Sequence, residues 1–221
     1  MIPPPESVLG FWFGDGLDSP ESVTERCRLW FQGDPSFDGQ IRERFDGLPS
    51  RAQQGSLDSW QGQPRSSLAL VLVLDQFPRN LFRGTSQCFA YDGLAHEIAL
   101  AALERGFDTA LAPLEATFLY LPLEHAEDLE SQERCVSLFR GLLDRAPVEL
   151  RPQFESFLSY ATRHQEVIER FGRFPHRNAV LGRSSTSEEL SYLEAGGDTF
   201  GGARDAAQEG AVPRASERGQ S

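Results

Sequence analysis

Leu68-Ala69-Leu70-Val71-Leu72-Val73-Leu74-Asp75-Gln76-Phe77-Pro78-Arg79-Asn80 decides the fold. Leu70 to Leu74 has the composition of a buried strand. As a helix, Pro64 to Gln76 is apolar nearly all round, which suits a central buried rod. Nothing else in the chain offers a strand partner, so the helical reading is preferred and the chain is expected to be all-α. Proline cannot continue a helix, and the residue before it is pushed toward extended geometry. The stretch is therefore expected to break at Phe77-Pro78, presenting Arg79 and Asn80 at a corner closed by Arg83-Gly84.

The same pattern returns later. Arg173-Phe174-Pro175-His176-Arg177-Asn178, closed by Leu181-Gly182-Arg183, again places Phe-Pro and then Arg-Asn after an apolar helical run. Guanidinium binds carboxylate or phosphate as a two-pronged fork. Arg79, Arg177 and Arg183, with Asn80, Asn178, Arg173 and His176, are thus candidate ligand-binding residues for one anion. The same side chains equally suit capping of helix-end carbonyls.

Helical signals fill the remainder. Ser7 to Phe13 is expected to be a short apolar helix after the prolines. Ser19-Pro20 and Asp34-Pro35 are N-cap and first-turn signals. Phe37, Ile41, Phe45 and Leu48 share one face. Asp92 to Arg105 is Ala-rich and stops at Gly106. Pro113 opens a helix through Tyr120 that Pro122 is expected to kink or end. Leu129, Gln132, Val136, Phe139 and Leu143 mark another. The last long helix runs from about Pro147 to Phe171, with Phe154, Phe157, Leu158, Ala161, His164, Ile168 and Phe171 as its stripe. Thr186 with Glu189 is a capping box. Residues 1–195 are read as one all-helical domain of antiparallel helix pairs. Residues 196–221, poor in apolar side chains, are read as a disordered low-complexity tail.

Composition limits the function. The 221 residues carry a net charge of -12 and a pI near 4.8, which disfavours nucleic acid and anionic membrane surfaces as partners. There is no lysine, which excludes Schiff-base chemistry and a Walker-type phosphate loop. Cys27, Cys88 and Cys135 are scattered with no CxxC pair, so a zinc knuckle is not expected, nor any other metal or cofactor. An odd number of cysteines without a leader suggests reduced thiols in the cytoplasm. The longest apolar run is too short to cross a bilayer.

Catalytic candidates are His125, His164, Asp75 and Glu124, at helix breaks or, for His164, on a buried stripe. A His/carboxylate pair would suit a hydrolase; a lone histidine on an apolar stripe equally suits a hydrogen-bonded core residue. No GxSxG elbow appears. A binding module, with Arg, Asn and His lining a site for an anionic small molecule or peptide carboxylate, is the first expectation. A hydrolase is the second and a purely structural protein the third.

Five motifs in order carry a resemblance: Leu9-Gly10-Phe11-Trp12-Phe13-Gly14, Leu74 to Asn80, Tyr120-Leu121-Pro122-Leu123-Glu124-His125, Arg170 to Asn178, and Leu181-Gly182-Arg183-Ser184-Ser185-Thr186. Together they resemble the bacterial domain-of-unknown-function family 924, over about Val8 to Leu193. The resemblance implies a tetratricopeptide-like, right-handed superhelical stack and implies no activity. Where that family has Ser after the Glu-His pair, this chain has Ala126.

Overall fold

The computed structural model describes residues 2–14, 17 and 19–200, and the described residues contain helices and no strand. The expected tail beyond residue 200 lies outside them. Four short helices open the chain: α1 (Pro5–Phe13), α2 (Pro20–Phe31), α3 (Pro35–Phe45) and α4 (Leu48–Gln53). The starts of α2 and α3 follow the sequence signals, whereas α1 begins at Pro5 rather than Ser7 and Leu48, expected on the face of α3, opens α4 instead. Ser19 accepts the Ser22 N–H in a reciprocal cap, and Asp34 accepts that of Phe37.

The decisive stretch is helical, yet it does not break where proline predicts. α5 (Pro64–Val71) runs into a π-helical segment, Leu72–Gln76, and on without interruption into α6 (Phe77–Leu81). Phe77, just before Pro78, keeps helical angles (φ -59, ψ -41), and its N–H reaches back five residues to the Leu72 carbonyl. A proline ring crowds the carbonyl four residues earlier. The wider π turn relieves that crowding and lets the helix pass through. Ser67 to Pro78 is buried throughout, as a central rod requires.

α7 (Asp92–Glu104) and α8 (Pro113–Glu124) pack on this rod, and α9 (Leu129–Arg145), α10 (Arg151–Phe171) and α11 (Ser187–Glu194) follow. α9 packs along both α8 and α10, and α5 touches α1, α7 and α8. Pro122 neither ends nor interrupts α8. It falls in the last turn, and the following N–H of His125 still bonds the Leu121 carbonyl at 2.9 Å. α10 begins at Arg151, after a single 3-10 turn at Val148–Leu150, rather than at Pro147. Trp12 anchors the core, its ring 5.6–6.0 Å from those of Trp30, Phe37, Phe77 and Phe118.

The second corner is a genuine break. Gly172 ends α10 with φ 67, a left-handed conformation that costs a Cβ-bearing residue more. Phe174 is extended, and Pro175–Arg177 form a 3-10 turn. Val167, Ile168 and Phe174 make a small separate core, packed by Phe171, Tyr192 and Phe200. Asp198, Thr199 and Phe200, which composition assigns to the tail, therefore dock on the domain. Asp198 pairs with Arg163, and Thr199 is buried. Among the described residues no helix is long and apolar enough to cross a membrane.

Candidate polar site between the two corners

The two corners meet through their arginines. Arg79, one turn past the π segment, points both guanidinium ends at Asp92, at 2.8 and 3.0 Å. The same side chain donates to the Asp75 carbonyl at 2.6 Å and lies 3.2 Å from its carboxylate. Arg177 approaches Asp92 Oδ2, the oxygen that Arg79 Nη2 already holds, at 3.6 Å. Its one close hydrogen bond runs to the His125 carbonyl at 3.0 Å. Its Cζ lies 4.7 Å from the Phe89 ring centroid and 4.3 Å from that of Phe174, so the cation is held between two aromatic faces. Its Nε is buried with no partner.

The asparagines part company. Asn80 donates to Asp38 at 2.7 Å, and Arg83 binds the same carboxylate. Asn178 donates to Ser185 and Glu189 and accepts from Arg183 at 3.0 Å. Arg183 forks onto Glu127 at 2.5 and 2.9 Å. Arg173 forks onto Glu189 at 2.6 and 2.8 Å and reaches the Ser184 carbonyl. Arg173, Asn178 and Arg183 thus tie the corner to α11 and to the loop before α9. Of the proposed ligand-binding residues, Arg79, Arg177 and His176 remain beside the polar cluster.

Asp75 and His125 form the tightest pair. Asp75 is fully buried, accepts from Gln76 Nε2 at 2.6 Å, and faces His125 Nδ1 at 2.8 Å. A carboxylate only accepts, so Nδ1 carries the proton and Nε2 presents a lone pair. Burial alone would push the Asp75 carboxyl up. The charge of Arg79 and the His125 contact outweigh it and hold the group well below the usual carboxylate range. Burial, then Arg79, lowers His125 and keeps it neutral.

Glu124 and His164 are a looser pair, 3.5 Å apart. His164 Nδ1 donates instead to the Tyr160 carbonyl at 2.9 Å. Burial, then the Asp75 charge, pushes Glu124 up to about 8, so its carboxyl is protonated at neutral pH. Burial drives His164 well below its ordinary value. The His125 and His164 rings are 6.4 Å apart, so all four catalytic candidates share one neighbourhood. His176 is brought down to about 3 by burial and then Arg177, and its Nδ1 is buried without a partner. His96 stands apart, bonded to Ser131.

Sequence reasoning missed the groups that organise this cluster. Asp92, at the first position of α7, reads in sequence as a helix-dipole acid, and its shared place between two arginines comes only from the fold. Gln132, read as one stripe residue of α9, sends its amide to the carbonyls of Leu123, Glu124 and Ala126 and so fixes the end of α8 that carries Glu124 and His125. Phe89 and Phe174, which sandwich Arg177, come from segments 85 residues apart in number. No group of three or more His, Cys, Asp or Glu is placed to hold a metal among the described residues. A surface cleft of about 380 Å³ lies elsewhere, lined by Phe11, Arg26, Phe37 and Arg44 among others, and none of the residues above contributes to it.

No curated protein matches the chain. A solved structure of a protein of unknown function from Agrobacterium tumefaciens is similar to it: the two are 39% identical, the likeness covers 86% of this chain and 97% of that one, and the TM-score is 0.72. The family model described as "Bacterial protein of unknown function (DUF924)" matches residues 8–197, which span the Trp12 core, the π segment, both corners and α11. The chain belongs to that family.

Proposed function

We propose that the chain is a helical-scaffold binding protein that takes an anionic small molecule or a peptide carboxylate at Arg177. One observation carries this. Arg177 is buried and aromatic-lined, has an unpaired Nε, and makes one close hydrogen bond. Its nearest carboxylate, Asp92, lies 3.6 Å away and is already engaged by both ends of Arg79, so Arg177 has only a loose share of one anion. Buried charges are normally paired, because an unpaired one is costly. Burial and then the Arg79 charge pull the Arg177 guanidinium down to about 10, the opposite of what a satisfied ion pair gives. A carboxylate or phosphate supplies the missing acceptor. The setting is an antiparallel helix-pair stack of the tetratricopeptide-like kind, favoured by the short links between α8, α9 and α10. Three free thiols fit a cytoplasmic protein, and the charge of -12 fits neither nucleic acid nor an anionic membrane.

The test is thermal melting of wild type and Arg177→Leu with phosphate, citrate or acetate added. Wild type is expected to gain stability, by about 2.7 kcal/mol at a hundredfold excess over Kd, and the folded variant is expected to gain none. Wild type indifferent to every anion overturns the proposal.

A hydrolase is the second reading, favoured by the Asp75–His125 pair. The carboxylate fixes the tautomer, and Nε2 is left as a base. It predicts turnover of activated esters or amides that falls at least about a hundredfold in His125→Ala. Absence of turnover across acyl, phosphoryl and glycosyl substrates counts against it.

A further inference from the structure

Beside Arg177 lies a slot that the chain itself fills. The Phe200 ring stacks on His164, with centroids 3.5 Å apart and planes at 22°. Phe174 meets it edge-on at 5.8 Å, and His176 does so at 5.8 Å and 67°. Three rings thus box in a fourth. We propose that this slot, walled by His164, Phe174 and His176, is a subsite for an aromatic ring, that the ligand is a small aromatic carboxylic acid, and that Asp198-Thr199-Phe200 is its intramolecular stand-in. The inference rests on the anion-binding reading of Arg177 and adds the ring.

Several features converge on this. Phe200 has φ 48 and is the one non-glycine residue with positive φ among the described residues. That region is disfavoured for a side chain with a Cβ, so the backbone bends against its preference to seat the ring. Placing an aromatic group in the slot evidently outweighs the bend. One wall of the slot also carries a polar atom. His176 Nδ1 is buried in its wall without a partner, and a Phe ring supplies none. A ligand bearing a heteroatom does. Burial keeps His164 and His176 uncharged, so both offer aromatic faces rather than cations.

Phe174 joins the slot to the cation. The ring that meets Phe200 also carries Arg177 against it, with Cζ 4.3 Å from the centroid. One side chain therefore separates the ring site from the under-paired guanidinium, a spacing that suits an aromatic group on a short acid. The docked segment has the same ingredients. It offers a carboxylate at Asp198 and a ring two residues on. The Asp198 carboxylate is bound by Arg163, and its N–H donates to the Tyr192 hydroxyl at 2.8 Å. That anchor leaves the buried Arg177 Nε still without a partner.

The experiment compares acetate, cyclohexylacetate, phenylacetate and benzyl alcohol by thermal shift and calorimetry on wild type, Phe200→Ala, Phe200→Leu and Arg177→Leu. In Phe200→Ala, phenylacetate is expected to bind about tenfold tighter than acetate or cyclohexylacetate, the order of an added aromatic contact. Wild type is expected to bind it more weakly than the variant, because Phe200 competes. Benzyl alcohol is expected to bind Phe200→Ala weakly, and Arg177→Leu is expected to lose the preference for phenylacetate over benzyl alcohol. Phe200→Leu keeps an apolar side chain in the slot and guards against a variant that fails to fold. The same ligand ranking is expected there. If acetate and phenylacetate shift Phe200→Ala equally, the ring subsite is refuted while the anion site stands. If no anion shifts wild type or any Phe200 variant, both fall. If phenylacetate binds wild type as tightly as Phe200→Ala, Phe200 is not a stand-in and the inference is overturned.

Discussion

The two Phe-Pro-Arg-Asn corners share a sequence pattern and differ in nearly everything else. At the first, a π turn carries the helix through the proline, and Arg79 is met by Asp75 and by both oxygens of Asp92. At the second, Gly172 stops the helix, and Arg177 is left with a carbonyl, two aromatic faces and a distant share of Asp92. The electrostatics follow. Burial opposes charge at both, but at Arg79 two carboxylates more than reverse it, while at Arg177 nothing does. A motif in sequence fixes which group is presented. The partners around it decide whether that group is structural or available.

The largest effect tests that contrast at Arg79. Arg79→Leu leaves Asp75 fully buried beside a neutral histidine. Removing one partner of a buried pair costs about 3–5 kcal/mol. Chemical denaturation of the variant is expected to show a loss of that size. A loss under about 1 kcal/mol would mean that Asp75 does not need its cation, and the contrast between the corners would collapse.

Glu124 gives the next effect, and its sign can be worked out. The native state holds a proton on Glu124 up to about pH 8, whereas the unfolded chain releases it near the ordinary 4.5. Stability from this group is therefore complete below the unfolded value and drains away as pH rises through about 8. Within that window one proton accounts for up to about 1.4 kcal/mol per pH unit. The buried histidines act at the other end. The unfolded chain takes up protons below about 6.5 that native His125, His164 and His176 refuse, so stability falls as pH drops. Wild type is expected to be most stable near pH 6.5. Glu124→Gln is expected to flatten the alkaline side and leave the acid side. Equal alkaline slopes in the two proteins would show that Glu124 is already ionised.

The asparagines sharpen the comparison on a smaller scale. Asn178 is fully buried with three partners, and Asn80 has one. Asn178→Ala strands groups on Arg183 and Glu189 and is expected to cost about 2–3 kcal/mol; Asn80→Ala is expected to cost about 1. Equilibrium unfolding of both resolves the order, and equal costs would mean the second corner is no more tightly tied than the first.

What sequence revealed and hid follows the range of the interactions. The caps at Ser19, Asp34 and Thr186 were legible because they bond backbone three residues away. The buried rod was legible because apolar side chains on every face leave few alternatives to a central helix. The passage through Pro78 was not, since a π turn has no residue signature of its own, and this one sits among α4, α7 and α8, distant in sequence. At the site, Asp75, Glu124 and His125 were found as residue types near helix breaks and His164 as a polar residue on a buried stripe, and the fold brings them together. The acceptors that settle the arginines were not found. Asp92, Glu127 and Glu189 look in sequence like ordinary helix-start or surface acids, and only the fold places Asp92 between the two corners and gives Glu127 and Glu189 to the second. Asp198-Thr199-Phe200 was placed in the tail on composition, which averages away the contribution of one docked ring.

The smallest expected effect is on the other arginine. Arg177→Leu without ligand loses one charge-assisted hydrogen bond to the His125 carbonyl, worth about 1.5–3 kcal/mol when broken. Against that stands the cost of keeping a guanidinium charged where burial and Arg79 both disfavour it. Asp92 keeps both prongs of Arg79, so no carboxylate is stranded. Leucine also fits an environment already walled by Phe89 and Phe174. The terms nearly cancel, and the net change is expected to stay within about 1 kcal/mol, since a buried charge can be replaced by an apolar group at little cost when no partner depends on it. Urea unfolding of Arg177→Leu beside Arg79→Leu measures the difference directly. Losses of similar size in the two variants would mean that Arg177 is as structural as Arg79 and that its unpaired Nε is not a vacancy for a ligand. A small loss at Arg177 with a large one at Arg79 assigns one corner to the fold and leaves the other free to bind.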